Sequence, residues 1–295
     1  MTGKKLIRSA VCCVLSATLF VVTPQIASAA MKTCSKQLAS EIPNRTSKAE
    51  TGTSVMQSLL RVGGQRRDDV VAQQVLSGNV PEFLRQLAAV EIPGVLKTGE
   101  RVLVTICVTP DYLAIGDDND FVRVPMGLAA AAMIATELGF LLPTPKMVDE
   151  IYKHAQVRLA PRPMKPTSQM VSTDYLMRHS QMLDAQSNDT KSNATALMAG
   201  QKKDIVLTNR LRSKPGRVAI YGWHRPNGKP IQPLSTVHGA EYADYSHGVR
   251  LVSQTAFVNG RPVDLSELMA HQELSGIVSR EGPIPDVRSL MASKF

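Results

Sequence analysis

The chain has 295 residues, 43% of them apolar and only 4% aromatic, with a formal charge of +9. That length and apolar content supply a substantial core, arranged as one large domain or two smaller ones. So few aromatic rings argue against a stacking platform for glycans or single-stranded nucleic acid. The basic residues are also not gathered on aromatic-rich stretches, so nucleic acid is not an expected partner.

The first residues point to a compartment. Lys4, Lys5 and Arg8 precede an apolar run from Ala10 to Val22, and "PQIASA" follows, with small residues at Ala27 and Ala29. This order predicts a secretory signal peptide over residues 1–29, because the run is short for a bilayer span and ends in a peptidase-like small-residue site. The expected location is therefore secreted or periplasmic, and no later apolar run has membrane length. Removing the leader takes three basic residues and no acidic one, which lowers the formal charge from +9 to +6. That modest excess suits an anionic envelope polymer or membrane surface, or an ordinary solvated surface.

Cys12 and Cys13 leave with the leader, and Cys34 and Cys107 remain. In an oxidising compartment the two can pair. Cys107 sits in "RVLVTICVTP", an apolar run with no adjacent base, which suits a disulfide or a buried thiol; a catalytic thiolate is the third alternative.

From Ser54 to Leu87 apolar residues recur at helical spacing, with breaks at Gly63, Gly64 and Gly78, so residues 30–98 read as a helical N-terminal region. From Arg101 the period changes. "RVLVTICVTPDYLAIG" and "FVRVPM" read as neighbouring strands around the acidic turn Asp117 to Asp120, which lacks the spacing of a calcium loop. "LAAAAMIATELG" and "KMVDEIYKHAQ" read as helices, the first stopping at Gly139. Proline-rich and polar connections flank a short helix near Tyr175 to Leu183. "DIVLTNRL", "RVAIYGW" and "VRLVSQTAFVNG" read as three further strands, and a last helix lies near Asp264 to His271. Residues 99–295 therefore form the expected main domain. The class is α+β, with a mixed or antiparallel sheet and flanking helices.

Chemistry-bearing residues concentrate between Tyr221 and Val252, a stretch with the only tryptophan and three of the six histidines. His224 ends a predicted strand, His238 and Asp244 lie in the connection, and Ser246 and His247 precede the next strand. Lys202, Lys203 and Asp204 enter another strand of the same half. Three imidazoles, His224, His238 and His247, are the expected ligands if zinc is bound, with an open position for water. The metal-free alternative makes a histidine the general base for Ser246 or for water. Asp244 or Asp204 would then fix its tautomer, and Arg250 or a lysine would stabilise an anionic intermediate. A third reading leaves these groups as hydrogen-bonding loop residues around a core tryptophan. No phosphate-cradling glycine loop, dinucleotide fingerprint or Cys-x-x-Cys pair is present.

"VHGAEYADYSHGVRL" resembles the signature of the L,D-transpeptidases, secreted β-rich enzymes that cross-link peptidoglycan. His238 and Gly239 match its His-Gly pair. Ser246, His247 and Gly248 match the later Ser-His-Gly, and Val249 and Arg250 resemble the apolar residue and arginine that come after the family's cysteine. That cysteine is absent, so the family's acyl-enzyme mechanism is not implied here. The resemblance implies a cell-envelope setting and singles out His247. The expected function is thus a hydrolase of a cell-envelope or extracellular polymer, using histidine-based acid/base or metal-assisted chemistry. The alternative is a non-catalytic secreted protein that binds a polar or anionic ligand.

Overall fold

The structure, a computed structural model, describes residues 34–188 and 195–291. The expected signal peptide lies outside them. Helices α1 (Gly52–Ser58) and α2 (Gly64–Leu76) occupy the stretch where helical spacing is read, and the Thr51 side chain caps α1 by accepting from the Ser54 N–H.

The chain then turns to sheet earlier than its sequence suggests. Strand β1 (Ala88–Val95) pairs antiparallel with β2 (Arg101–Val108) along its whole length. Pro93 and Gly94 disguise β1 in the sequence. As an edge strand it tolerates a proline, which has no N–H to give to a neighbour. The boundary expected after residue 98 falls inside this hairpin, and one apolar cluster runs from Cys34 to Met291 across it.

Strands β3 (Ala114–Gly116) and β4 (Phe121–Arg123) pair around the acidic turn, as expected. There Asp117 accepts from the Asn119 and Asp120 N–H groups, Asp118 from Phe83, and Asp120 from Thr53. Helix α3 (Leu128–Glu137), strand β5 (Phe140–Leu141) and helix α4 (Pro145–His154) follow. Pro145 at the first turn and the Thr144 cap, which accepts from the Met147 N–H at 3.2 Å, set the start of α4. Met147, Val148, Ile151 and Tyr152 form its buried stripe.

Strand β6 (Val157–Arg158), helix α5 (Thr173–Asn188) and strand β7 (Met198–Ala199) lead into β8 (Lys203–Ile205), β9 (Ile220–His224), β10 (Pro230–Ser235) and β11 (His247–Gly248). The last expected strand is divided into β12 (Val252–Ser253) and β13 (Thr255–Val258). Asn259 and Gly260, both with positive φ, turn the chain into β14 (Arg261–Asp264). Helices α6 (Leu265–Ala270), α7 (Ser275–Val278) and α8 (Val287–Met291) close the chain.

Two sheets organise these parts. The larger runs β14-β13-β2-β12-β5, with β1 on the other side of β2; the smaller runs β10-β9-β8-β11, with β8 and β11 parallel and the other pairs antiparallel. The α+β class is confirmed. Val104, Ile106 and Val108 of β2 are fully buried, and each such side chain contributes roughly 1.5–3 kcal/mol.

Cys34 and Cys107, 73 positions apart in sequence, form a disulfide with Cα atoms 5.4 Å apart. The free-thiol and catalytic-thiolate alternatives for Cys107 are thereby overturned. Among the described residues, no helix is long and apolar enough to cross a membrane.

Candidate functional site

The smaller sheet and α4 build the site. Register across the sheet sets Gly248, Asp204 and Tyr221 side by side, and His247 and Lys203 side by side on the opposite face. Along β9, alternation alone would send Tyr221 and His224 to opposite faces. Both nevertheless reach the same carboxylate, Asp149 on α4. The cause is two consecutive residues with left-handed backbone, Gly222 (φ 109) and Trp223 (φ 58), which reset the alternation. For glycine this is inexpensive, whereas a tryptophan held there stores roughly 1–3 kcal/mol of strain.

His224 Nε2 lies 2.8 Å from Asp149 Oδ1, and the Tyr221 hydroxyl donates to Asp149 at 2.9 Å. Arg280 completes an ion pair with Asp149 Oδ2 at 2.5 Å. Tyr152 stacks on the His224 ring with centroids 4.6 Å apart. Asp149 and Tyr152, one helical turn apart on α4, thus fix both the plane and the hydrogen bonding of the imidazole. With Nε2–H donated to Asp149, the Nδ1 lone pair is left as the basic position.

Burial pushes the Asp149 carboxyl up, but hydrogen bonds from His224, Arg280 and Tyr221 outweigh it and hold the carboxyl below its ordinary value. Burial and the neighbouring Asp149 push the Tyr221 phenol up to about 12, so it remains a donor at neutral pH. These groups line a cleft of about 590 Å³ whose rim carries Lys153, Arg158, Lys229 and Arg280. Among the described residues, no serine, threonine or cysteine lines it.

Behind His224 lies a buried layer. Tyr112 donates to Asp204 at 2.8 Å, and burial raises the Asp204 carboxyl to about 6 despite the nearby Arg250 and this hydrogen bond. Arg250 lies over the Tyr112 ring at 4.3 Å and donates to the carbonyls of Thr109 and Met198. Its role here is to clamp backbone, with no direct place in the cleft. Lys202 is also fully buried and donates to the Tyr245 carbonyl at 2.7 Å; burial, with Arg123 nearby, brings it down to about 7.

The remaining sequence candidates occupy the other face. Ser246 donates through its hydroxyl to Asp244 Oδ1 at 2.5 Å, so it is paired with a carboxylate and has no histidine partner. Asp244 makes no hydrogen bond to a histidine. His247 is fully buried with neither ring nitrogen hydrogen-bonded among the described residues, and burial draws it down to about 4 against the pull of Asp244. His238 stacks on Tyr242 at 4.2 Å and stands 6.1 Å from His247, centroid to centroid. Lys203 lies over the Trp223 ring. The three expected zinc ligands therefore divide between two faces of one sheet. Among the described residues, no group of three or more His, Cys, Asp or Glu side chains is placed to hold a metal.

Of the cleft, sequence reasoning finds His224 and its neighbour Asp204 but misses Asp149, Tyr152, Tyr221 and Arg280. One signal is present, an aspartate set among the apolar positions of "KMVDEIY". Arg280, in a loose tail, gives none. Fold and site together define a disulfide-tied α+β protein with a carboxylate-oriented histidine in an open, basic cleft. No protein-family model, curated protein or solved structure matches the chain.

Proposed function

We propose that this protein is a secreted or periplasmic hydrolase of a cell-envelope or extracellular polymer, with His224 as general base and Asp149 as the residue that orients it. The observation that carries this reading is the 2.8 Å contact between the two, set in the wall of the cleft. Among the described residues the lining has no serine, threonine or cysteine to act as nucleophile, and in this reading water takes that role. His224 Nδ1 accepts the proton of the attacking water, and the imidazolium that forms returns a proton to the leaving group. Asp149 stabilises the positive charge in between, a type of assistance worth about 10²–10⁴ in rate. The basic rim would draw and hold an anionic polymer.

The acid/base form is favoured over the metal-assisted one because His224 stands apart from His238 and His247, the other two imidazoles expected to hold the metal. The rival reading, a binding protein for a polar or anionic ligand, draws on the same basic rim and predicts saturable binding without turnover. Incubating the purified protein with envelope polymers such as peptidoglycan sacculi tests both. Soluble fragments should be released by the wild type and lost in His224→Gln, while binding without release would favour the rival.

A further inference from the structure

A second polar group lies on the sheet face opposite the cleft and takes no part in the proposed hydrolysis. Its centre is a row in register across three strands: His247 of β11, Lys203 of β8 and Gly222 of β9, with Trp223 next in the chain. Neighbouring strands are about 4.8 Å apart, so Lys203 is flanked by His247 on one side and by the strand that carries Trp223 on the other. Lys203 Nζ lies 5.1 Å from the Trp223 ring centre.

The hydrogen-bonding capacity of this group is unmet. Trp223 Nε1 and both ring nitrogens of His247 are buried without a partner among the described residues. Folded proteins rarely leave such atoms unpaired, and here three belong to residues that flank Lys203 in the sheet. The nearby carboxylate does not serve them. Asp244 accepts from the Ser246 N–H and hydroxyl through one oxygen and from the Tyr242 hydroxyl through the other. An indole N–H and an ammonium can only donate, and a neutral imidazole supplies one further donor. Donors therefore outnumber acceptors in the group, whose one acceptor is the second imidazole nitrogen, and its one positive charge, on Lys203, lies near the Asp244 carboxylate.

We infer that Lys203, Trp223 and His247 form a recognition site for a compact oxyanion, a carboxylate or phosphate group carried by a ligand. His238 and Tyr242, both half-buried, stand at its solvent edge. The site shares no side chain with the His224 cleft, so it stands or falls independently of the hydrolase reading.

Trp223 is the only tryptophan in the chain, so intrinsic tryptophan fluorescence reports on this site. The protein is titrated with inorganic phosphate and, separately, with acetate, with ionic strength held constant by chloride. A saturable change in at least one series is expected, and the series that saturates at lower concentration identifies the preferred anion. Lys203→Met should weaken the apparent affinity roughly tenfold or more, as loss of a charge-assisted contact implies. Lys203 is only half-buried and makes no ion pair among the described residues, so a matching far-UV circular dichroism spectrum is expected for the variant. No saturable change in either series, or an unaltered one in Lys203→Met, would overturn the inference.

Discussion

Gly248 shows how tightly the residues behind the cleft are fitted. A Cβ at this position would lie 2.5 Å from the Tyr112 ring and 2.9 Å from Lys202 Cβ. Gly248→Ala should therefore displace the ring whose hydroxyl holds Asp204 and lower the unfolding free energy by about 1–3 kcal/mol, read by urea titration. Single residues also show why the site is only partly legible in the sequence. His224 is conspicuous because it ends a strand beside an unusual concentration of polar groups. Its partner is 75 residues earlier, in a helix whose pattern marks it for burial without saying against what. Nor does the sequence tell that Trp223 adopts a positive φ, yet that conformation decides which face His224 occupies. Periodicity assumes regular backbone, and the site lies where the backbone is irregular.

Helix α4 is the element on which the proposed chemistry depends, since it supplies both Asp149 and Tyr152. Its start is fixed by Thr144, fully buried, which accepts from the Met147 N–H and donates to the Val278 carbonyl. Thr144→Ala removes the cap and leaves that carbonyl unpaired. The expected cost is about 1–3 kcal/mol in urea unfolding, accompanied by reduced activity as Asp149 loses its fixed position. At this scale the sequence reads well where hydrophobic period and capping agree, as in α4 and in β2. It fails at β1, where Pro93 and Gly94 look like a break and only an edge position reconciles them with a strand. The split between β12 and β13 is likewise invisible, because the apolar run continues through it.

For the whole molecule, the Cys34–Cys107 bond ties the N-terminal region to the central strand. Its separation of 73 residues implies a chain-entropy stabilisation of about 4 kcal/mol, which reduction should remove in urea unfolding. Stability should also fall with acid. Burial lowers His247 to about 4 and His179 to about 2 from an ordinary 6.5, so below pH 6.5 the unfolded chain binds protons that the folded one does not. Their stabilisation, complete above pH 6.5, is lost as pH falls through this window. Asp204, raised to about 6 from 3.8, acts in the opposite direction between those values. With two histidines against one carboxyl, the urea midpoint should drop from pH 7 to pH 5; an unchanged or higher midpoint would contradict this assignment. Catalysis by His224 is measured most directly by release of soluble fragments from envelope polymer by wild type and His224→Gln, alongside their thermal unfolding. Release by the wild type and its loss in the variant, at nearly unchanged thermal stability, are expected. Undiminished release by a folded His224→Gln protein would contradict it.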